Sequence, residues 1–213
     1  MIKNLIWDFD GTLFDTYPQM VQAFAKALND LGIDSVEIDE HEIYVVMRQH
    51  SVGSALKKYA SFYGVDETKL AEINKKYQDQ MVMAAKPFSG VNELLDLALN
   101  NDGGNFLLTH RDEQAKDLLA KFDLLDKFSG FVTSADKFPR KPKPDSLNWL
   151  KKTYDLSNDQ TMMIGDRQLD VEAGNNANVF TALFDLDRTI LHTGNPDIRV
   201  TALSELLDYL KQK

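Results

Sequence analysis

The sequence contains no cysteine, which excludes a disulfide framework, thiolate metal sites and thiol catalysis, and which fits a reducing compartment. Basic residues are in deficit: 24 Lys and Arg stand against 33 Asp and Glu, a formal charge of −9. Proteins that grip backbone phosphates carry a basic footprint, so a nucleic-acid partner is not expected. A small phosphorylated ligand remains compatible, because a bound divalent cation makes a local site positive whatever the net charge. No stretch approaches the ~18 consecutive apolar residues of a membrane span. The opening MIKNLIWDFD carries a short apolar run with no cleavage site after it, unlike a secretory signal. A membrane partner is therefore not expected, and the reading is a soluble cytoplasmic protein. Internal repeats and low-complexity tracts are also absent. What is present is ordinary for a globular chain, with 43% hydrophobic and 27% charged residues. A length of 213 residues corresponds to roughly 1.4 average domains, and a chain of this size buries about 70% of its unfolded surface without staples.

Residues 3–9, KNLIWDF, form an apolar run of strand length that ends at a carboxylate. From Pro18 to Gly64 the spacing is helical: Val21, Phe24, Ala25 and Leu28 share one face, and Gly32 is placed to end that helix. Further helices are predicted over about 40–48, from Val52 to Tyr59, and from Leu70 to Met81. Tyr44, Tyr59, Phe62 and Tyr63 are expected in the core of this block, and no strand is expected between 16 and 85. After Pro87 and Gly90 the texture changes to alternating strands and helices. Strands are predicted over 105–109, 130–134, 161–165 and 179–184, with helices over 91–98, 115–122, 145–154 and 168–177 and a closing helix through Val200, Leu203, Leu206, Leu207 and Leu210. Such alternation predicts a parallel α/β sheet with helices on both faces. The domain reading is an α/β core of residues 1–15 and 87–213 with an all-helical insertion over 16–86.

Ligands of open parallel sheets bind beyond the carboxyl ends of the strands. The predicted strand ends deliver Asp8-Phe9-Asp10-Gly11-Thr12, then Leu108-Thr109-His110-Arg111, then Gly165-Asp166 with Asp170; Lys141 lies between Arg140 and Pro142 ahead of the 145–154 helix. Asp8 and Asp10 are two apart, so on a continuing strand they would share a side. So close a pair needs a counter-ion, and Mg²⁺, held by carboxylates and phosphate oxygens, would supply one.

These segments, in this order, resemble the four motifs of the haloacid dehalogenase-like (HAD) hydrolase superfamily: Asp8-Phe9-Asp10-Gly11-Thr12-Leu13, Thr109, Lys141 with Pro142 and Pro144, and Gly165-Asp166 with Asp170. The pattern is similar to its phosphatases with a helical cap, the subgroup of phosphoglycolate phosphatases and β-phosphoglucomutases. The resemblance implies a Rossmann-like core and a Mg²⁺-dependent phosphatase acting on a small phosphorylated metabolite, and is compatible with a monomer. It implies that Asp8 is the nucleophile, that Asp10 is the general acid and then base, and that Thr109 and Lys141 hold the phosphoryl group. Mg²⁺ would be bound by Asp8, the Asp10 carbonyl and Asp166, with Asp170 as a further acidic member. Gly11, Thr12, His110 and Arg48 are assigned to substrate binding, Arg48 because a cap loop of this type carries an anion-reading cation.

Three alternatives are weighed. A phosphomutase of this cap type uses a histidine just after the first motif, whereas here no histidine precedes His41. Haloacid dehalogenation would not need Asp10. A binding protein on an inactive fold would not need every motif position filled. Asp185-Leu186-Asp187-Arg188-Thr189 imitates the first motif without its glycine and is read as a loop after the last strand. His41, His50, His110 and His192 lack metal-ligand spacing.

Overall fold

The computed structural model describes residues 1–212. The chain divides into two compact units, Met1–Phe14 with the chain from Pro87 onward, and Asp15–Lys86.

The first unit is built on six parallel strands: β1 Asn4–Trp7, β2 Asn105–Leu108, β3 Phe128–Val132, β4 Thr161–Gly165, β5 Phe180–Phe184 and β6 Ile198–Val200, in the order β3-β2-β1-β4-β5-β6. The central strands are buried throughout, as their near-continuous apolar sequences require. Numbering the helices in chain order, this unit carries α5 Val91–Asn100, α6 Gln114–Lys121, α7 Asp145–Thr153, α8 Gln168–Asn176 and α9 Leu203–Gln212. Ile6, Phe106, Leu108 and Met163 pack against Leu147 and Leu150 of α7 and Ala173 of α8. Alternation turns Leu5, Trp7 and Leu107 to the opposite face, where α5 packs on β1 and β2, and α9 on α5. The buried Asn105 is fully engaged: its Oδ1 accepts from Trp7 Nε1 (3.1 Å) and its Nδ2 donates to the carbonyls of Leu95 (3.0 Å) and Lys127 (3.2 Å). Strand order reverses at β1, which sits between β2 and β4, so the carboxyl end of β1 opens at the position where such sheets bind ligands.

The second unit consists of α1 Tyr17–Asp30, α2 Glu40–Gln49, α3 Val52–Tyr63 and α4 Glu67–Met81. Its helix starts are encoded locally. Asp39, Ser51 and Asp66 accept from the backbone N–H three residues on, at 2.9, 3.0 and 2.7 Å, the side-chain N-cap. Gly64, at φ 68°, ends α3 in the left-handed conformation. Among the described residues, no helix is long and apolar enough to cross a membrane.

Several expectations are corrected. Val200 belongs to β6, not to the closing helix; it pairs with Phe184, and its three-residue spacing from Leu203 imitates a helical stripe. The segment from Asp185 to Thr189 is therefore not after the last strand. β3 starts at Phe128 and stops at Val132, because Thr133 caps the next turn, its Oγ1 accepting from Ala135 N and its N–H donating to Asp136. Phe62 is 72% exposed: the buried stripe of α3 runs through Ala55, Tyr59 and Ala60, and Phe62 lies off it.

Candidate active site

β1 ends at Trp7, and Asp8 extends the ladder by one bond, its N–H donating to the Ile164 carbonyl at 2.9 Å. The chain then curls. Leu13 and Phe14 N–H donate to the Phe9 carbonyl, and Gly11 N–H to the Phe14 carbonyl at 2.8 Å. Gly11 takes φ 73°, which a side chain would resist. The strand therefore does not continue through Asp10, and the alternation of an extended strand does not set where its side chain lies.

Instead, each of the two carboxylates has its own cation. Asp8, 2% exposed, receives Lys141 Nζ at 2.5 Å on Oδ1. Asp10 is gripped by Arg111, with Nε 3.0 and 3.1 Å from its two oxygens and Nη2 2.7 Å from Oδ1. The second contact was not legible in the sequence, where nothing couples residues 10 and 111.

Lys141 Nζ also reaches the Leu108 carbonyl at 3.2 Å and Asp170 Oδ1 at 2.5 Å. Asp170 Oδ2 accepts from the Arg167 N–H at 3.1 Å, so the same side chain starts α8 and anchors the lysine. Asp166 is fully buried, its Oδ1 3.6 Å from Arg167 Nε. Oxygens of Asp8, Asp166 and Asp170 lie within 4.8 Å of one another. Burial raises the Asp8 carboxyl well above the ordinary carboxylate range; Lys141 opposes this, and Asp170 and Asp166 add to it. For Asp170 burial also acts upward, but Lys141 and Arg167 outweigh it and hold the group ionised. For Lys141 burial acts downward, and Asp170 with Asp8 overcomes it.

This cluster fits a divalent cation. Three buried carboxylates converge in a dry site against the Lys141 ammonium and the Arg167 guanidinium, and Asp8 Oδ2 is buried with no hydrogen-bond partner among the described residues. Such an arrangement is costly unless something neutralises it.

Thr109 is 2% exposed, with Oγ1 accepting from Arg111 N–H at 3.0 Å. Thr12 is fully buried and its hydroxyl has no partner among the described residues. His110 is half-buried and accepts at Nε2 from the Lys141 N–H (3.1 Å), which puts its proton on Nδ1. Burial, then Lys141 and Arg140, lower its pKa to about 3, so it is neutral. A cavity of about 260 Å³ opens beside Thr109, His110, Thr133, Ser134, Phe138 and Arg140.

The segment around Lys141 is a turn. Lys143 N–H donates to the Arg140 carbonyl at 3.0 Å, and the Lys141–Pro142 bond is cis. Lys141 is thereby buried while Lys143 is exposed. The imitation of the first motif is tied down elsewhere: Asp185 is buried and ion-paired with Arg199. In the helical unit Arg48 is 2% exposed, 5.5 Å over the Tyr17 ring, and its charge partly offsets the burial that raises Asp15.

Comparison with known proteins matches the chain to enzymes. The chain is 25% identical to a phosphoglycolate phosphatase of Photobacterium profundum, over 99% of this chain and 96% of that one. It is 24% identical to the pyrophosphatase PpaX of Bacillus cereus, over 98% and 96%. A crystallised hydrolase from Streptococcus pneumoniae is 29% identical, with a TM-score of 0.67 over 99% of this chain and 98% of that one. The model of the haloacid dehalogenase-like hydrolases matches residues 5–183, and the chain belongs to that family.

Proposed function

We propose that the protein is a Mg²⁺-dependent phosphatase of small phosphorylated metabolites that works through an aspartyl-phosphate on Asp8. The observation that carries this reading is the buried Asp8 carboxylate, with one oxygen on Lys141 and the other without a partner among the described residues, beside Asp166 and Asp170. Relatives named as a phosphoglycolate phosphatase and a pyrophosphatase support the substrate class; being named for different substrates, they do not narrow it further. Asp8 and Asp166 would hold the metal, with the Asp10 carbonyl and with Asp170 as a further acidic member. Mg²⁺ would supply positive charge for the oxygens of the transferring phosphoryl group.

In the first half-reaction an Asp8 oxygen forms a bond to phosphorus as the ester P–O bond breaks. The departing oxygen takes a proton from the Asp10 carboxyl. In the second, Asp10, now a carboxylate, takes a proton from water, whose oxygen bonds to phosphorus while the Asp8–phosphorus link breaks and inorganic phosphate leaves. Thr109 and Lys141 hold the phosphoryl oxygens, supplying the positioning and charge that phosphoryl transfer needs. The helical unit Asp15–Lys86 is read as a cap that selects substrate, with Arg48 its anion-reading group. Against a phosphomutase stands the absence of histidine between Leu13 and His41. Against dehalogenation stands Asp10, which only a leaving group in need of a proton requires.

The test is hydrolysis of a panel of phosphorylated metabolites by the metal-stripped protein, with and without Mg²⁺. Turnover that appears only on Mg²⁺ addition supports the reading; full turnover in chelator would overturn it.

A further inference from the structure

Arg111 has no part in the chemistry above, yet it is among the most firmly placed cations of the site. Pairing of Trp7 with Leu107 brings the ends of β1 and β2 side by side. The backbone of Arg111 is tied on both sides: its N–H donates to Thr109 Oγ1 and its carbonyl accepts from Ser134 N–H, each at 3.0 Å. Its side chain is 7% exposed and that of Asp10 is 19% exposed. Nε and Nη2 are both committed to Asp10, and Nη1 leans to Gln114 Oε1 at 3.5 Å. A planar fork used this way fixes both the position and the plane of a carboxylate, which an ammonium would not do.

We infer that Arg111 is a positioning residue that aims the Asp10 carboxyl at the oxygen leaving phosphorus. The inference rests on the proposed role of Asp10. Asp10 stands in a curled loop beyond the strand, where the backbone alone leaves its side chain free to rotate, and proton transfer demands hydrogen-bond reach in a defined direction. Arg111 supplies that constraint from the neighbouring strand end. A proton donor matters for a poor leaving group and hardly at all for a good one, so the role has a signature that a general structural role lacks.

The experiment compares kcat/KM, which reports the acid-assisted first half-reaction, for an alkyl phosphate and for 2,4-dinitrophenyl phosphate. Arg111→Met is expected to lower the alkyl ester value by about 10–100-fold, the scale of a misplaced catalytic group, and to leave the dinitrophenyl ester within about three-fold, since that leaving group needs no proton. Arg111→Lys should restore only part of the alkyl rate. In an Asp10→Asn background Arg111→Met should have no further effect on the alkyl ester. Equal losses on both esters, or no loss on either, would overturn the inference. Asp10→Asn alone serves as the control on the underlying reading: if it fails to separate the two esters, Asp10 is not the acid and the inference falls with it; if it separates them while Arg111→Met does not, only the inference falls. Should Arg111→Met not fold, Arg111→Gln reads the same ratio.

Discussion

A Cβ placed on Gly165 would lie 2.2 Å from the Cβ of Asp170. The glycine that ends β4 is thus what allows the first turn of α8 to close onto the strand and bring Asp170 to Lys141. Gly165→Ala must push the helix start away, at roughly 1–3 kcal/mol for overpacking, which for a chain of this size lowers Tm by about 2–12 °C. Because Asp166 and Asp170 move with that turn, activity should fall at least about ten-fold. Gly53 in α3 meets only Ser51 Oγ at 3.7 Å, and Gly53→Ala should leave Tm unchanged or raise it, since alanine favours a helix. Thermal melts and steady-state rates of the two variants check the contrast.

His110 gives a pH dependence with a definite sign. Its folded pKa is lowered to about 3 by burial first, then by Lys141 and Arg140, with Arg167 adding and Asp170 opposing. The unfolded chain therefore binds a proton below pH ~6.5 that the folded chain refuses, and stability falls as pH drops through that value. Between pH 8 and pH 5 the loss from this one group is about 2 kcal/mol. His110→Gln removes the titration and keeps an acceptor for the Lys141 N–H. Denaturant unfolding across that range should show the variant losing less stability than the wild type; parallel curves would show that His110 is not held neutral.

Much of this arrangement is legible in the sequence. β1, β2 and β4 are apolar runs with a carboxylate or threonine immediately after them, and the helices follow the spacing of Val21, Phe24 and Leu28 or of Leu94, Leu95 and Ala98. What is not legible is pairing over distance. Nothing local joins Asp10 to Arg111 or Lys141 to Asp170, because those contacts exist only once β1, β2 and β4 are adjacent. β6 is hidden for another reason. It is three residues long, and Val200 falls at helical spacing from Leu203. Arg48 reads as an open loop residue, while in the structure it is buried, its guanidinium 5.5 Å over the Tyr17 ring.

Asp8→Asn should abolish turnover while the protein still binds substrate, because the amide keeps the shape of the side chain and loses the nucleophilic oxygen. It also removes one negative charge from the buried cluster of Asp8, Asp166 and Asp170, so Mg²⁺ should bind more weakly, seen by calorimetry without substrate. Beryllofluoride should stabilise the wild type and not the variant. Wild-type turnover by Asp8→Asn would rule out a covalent intermediate on this residue.

Lys141 and Lys143 provide the sharpest separation of roles between near neighbours. The turn closed by Lys143 N–H on the Arg140 carbonyl sends Lys141 inward and Lys143 to solvent. Lys141 lies 2.5 Å from both Asp8 and Asp170 with its side chain fully buried, whereas Lys143 forms part of the exposed surface. Losing a preorganised cation where phosphoryl charge develops should cost about 10²–10³-fold in kcat, on the scale of deleting one oxyanion donor. Lys141→Met also leaves Asp8, Asp166 and Asp170 buried without their ammonium, so in the metal-stripped protein it should lower Tm, and added Mg²⁺ should recover part of that loss. Lys143→Met removes a solvated charge and should keep kcat within about three-fold and Tm within about 2 °C. Steady-state kinetics and melting curves with and without Mg²⁺ test both variants. The reverse ranking would mean that the cation serving the phosphoryl group is Lys143 and that the burial of Lys141 is purely structural.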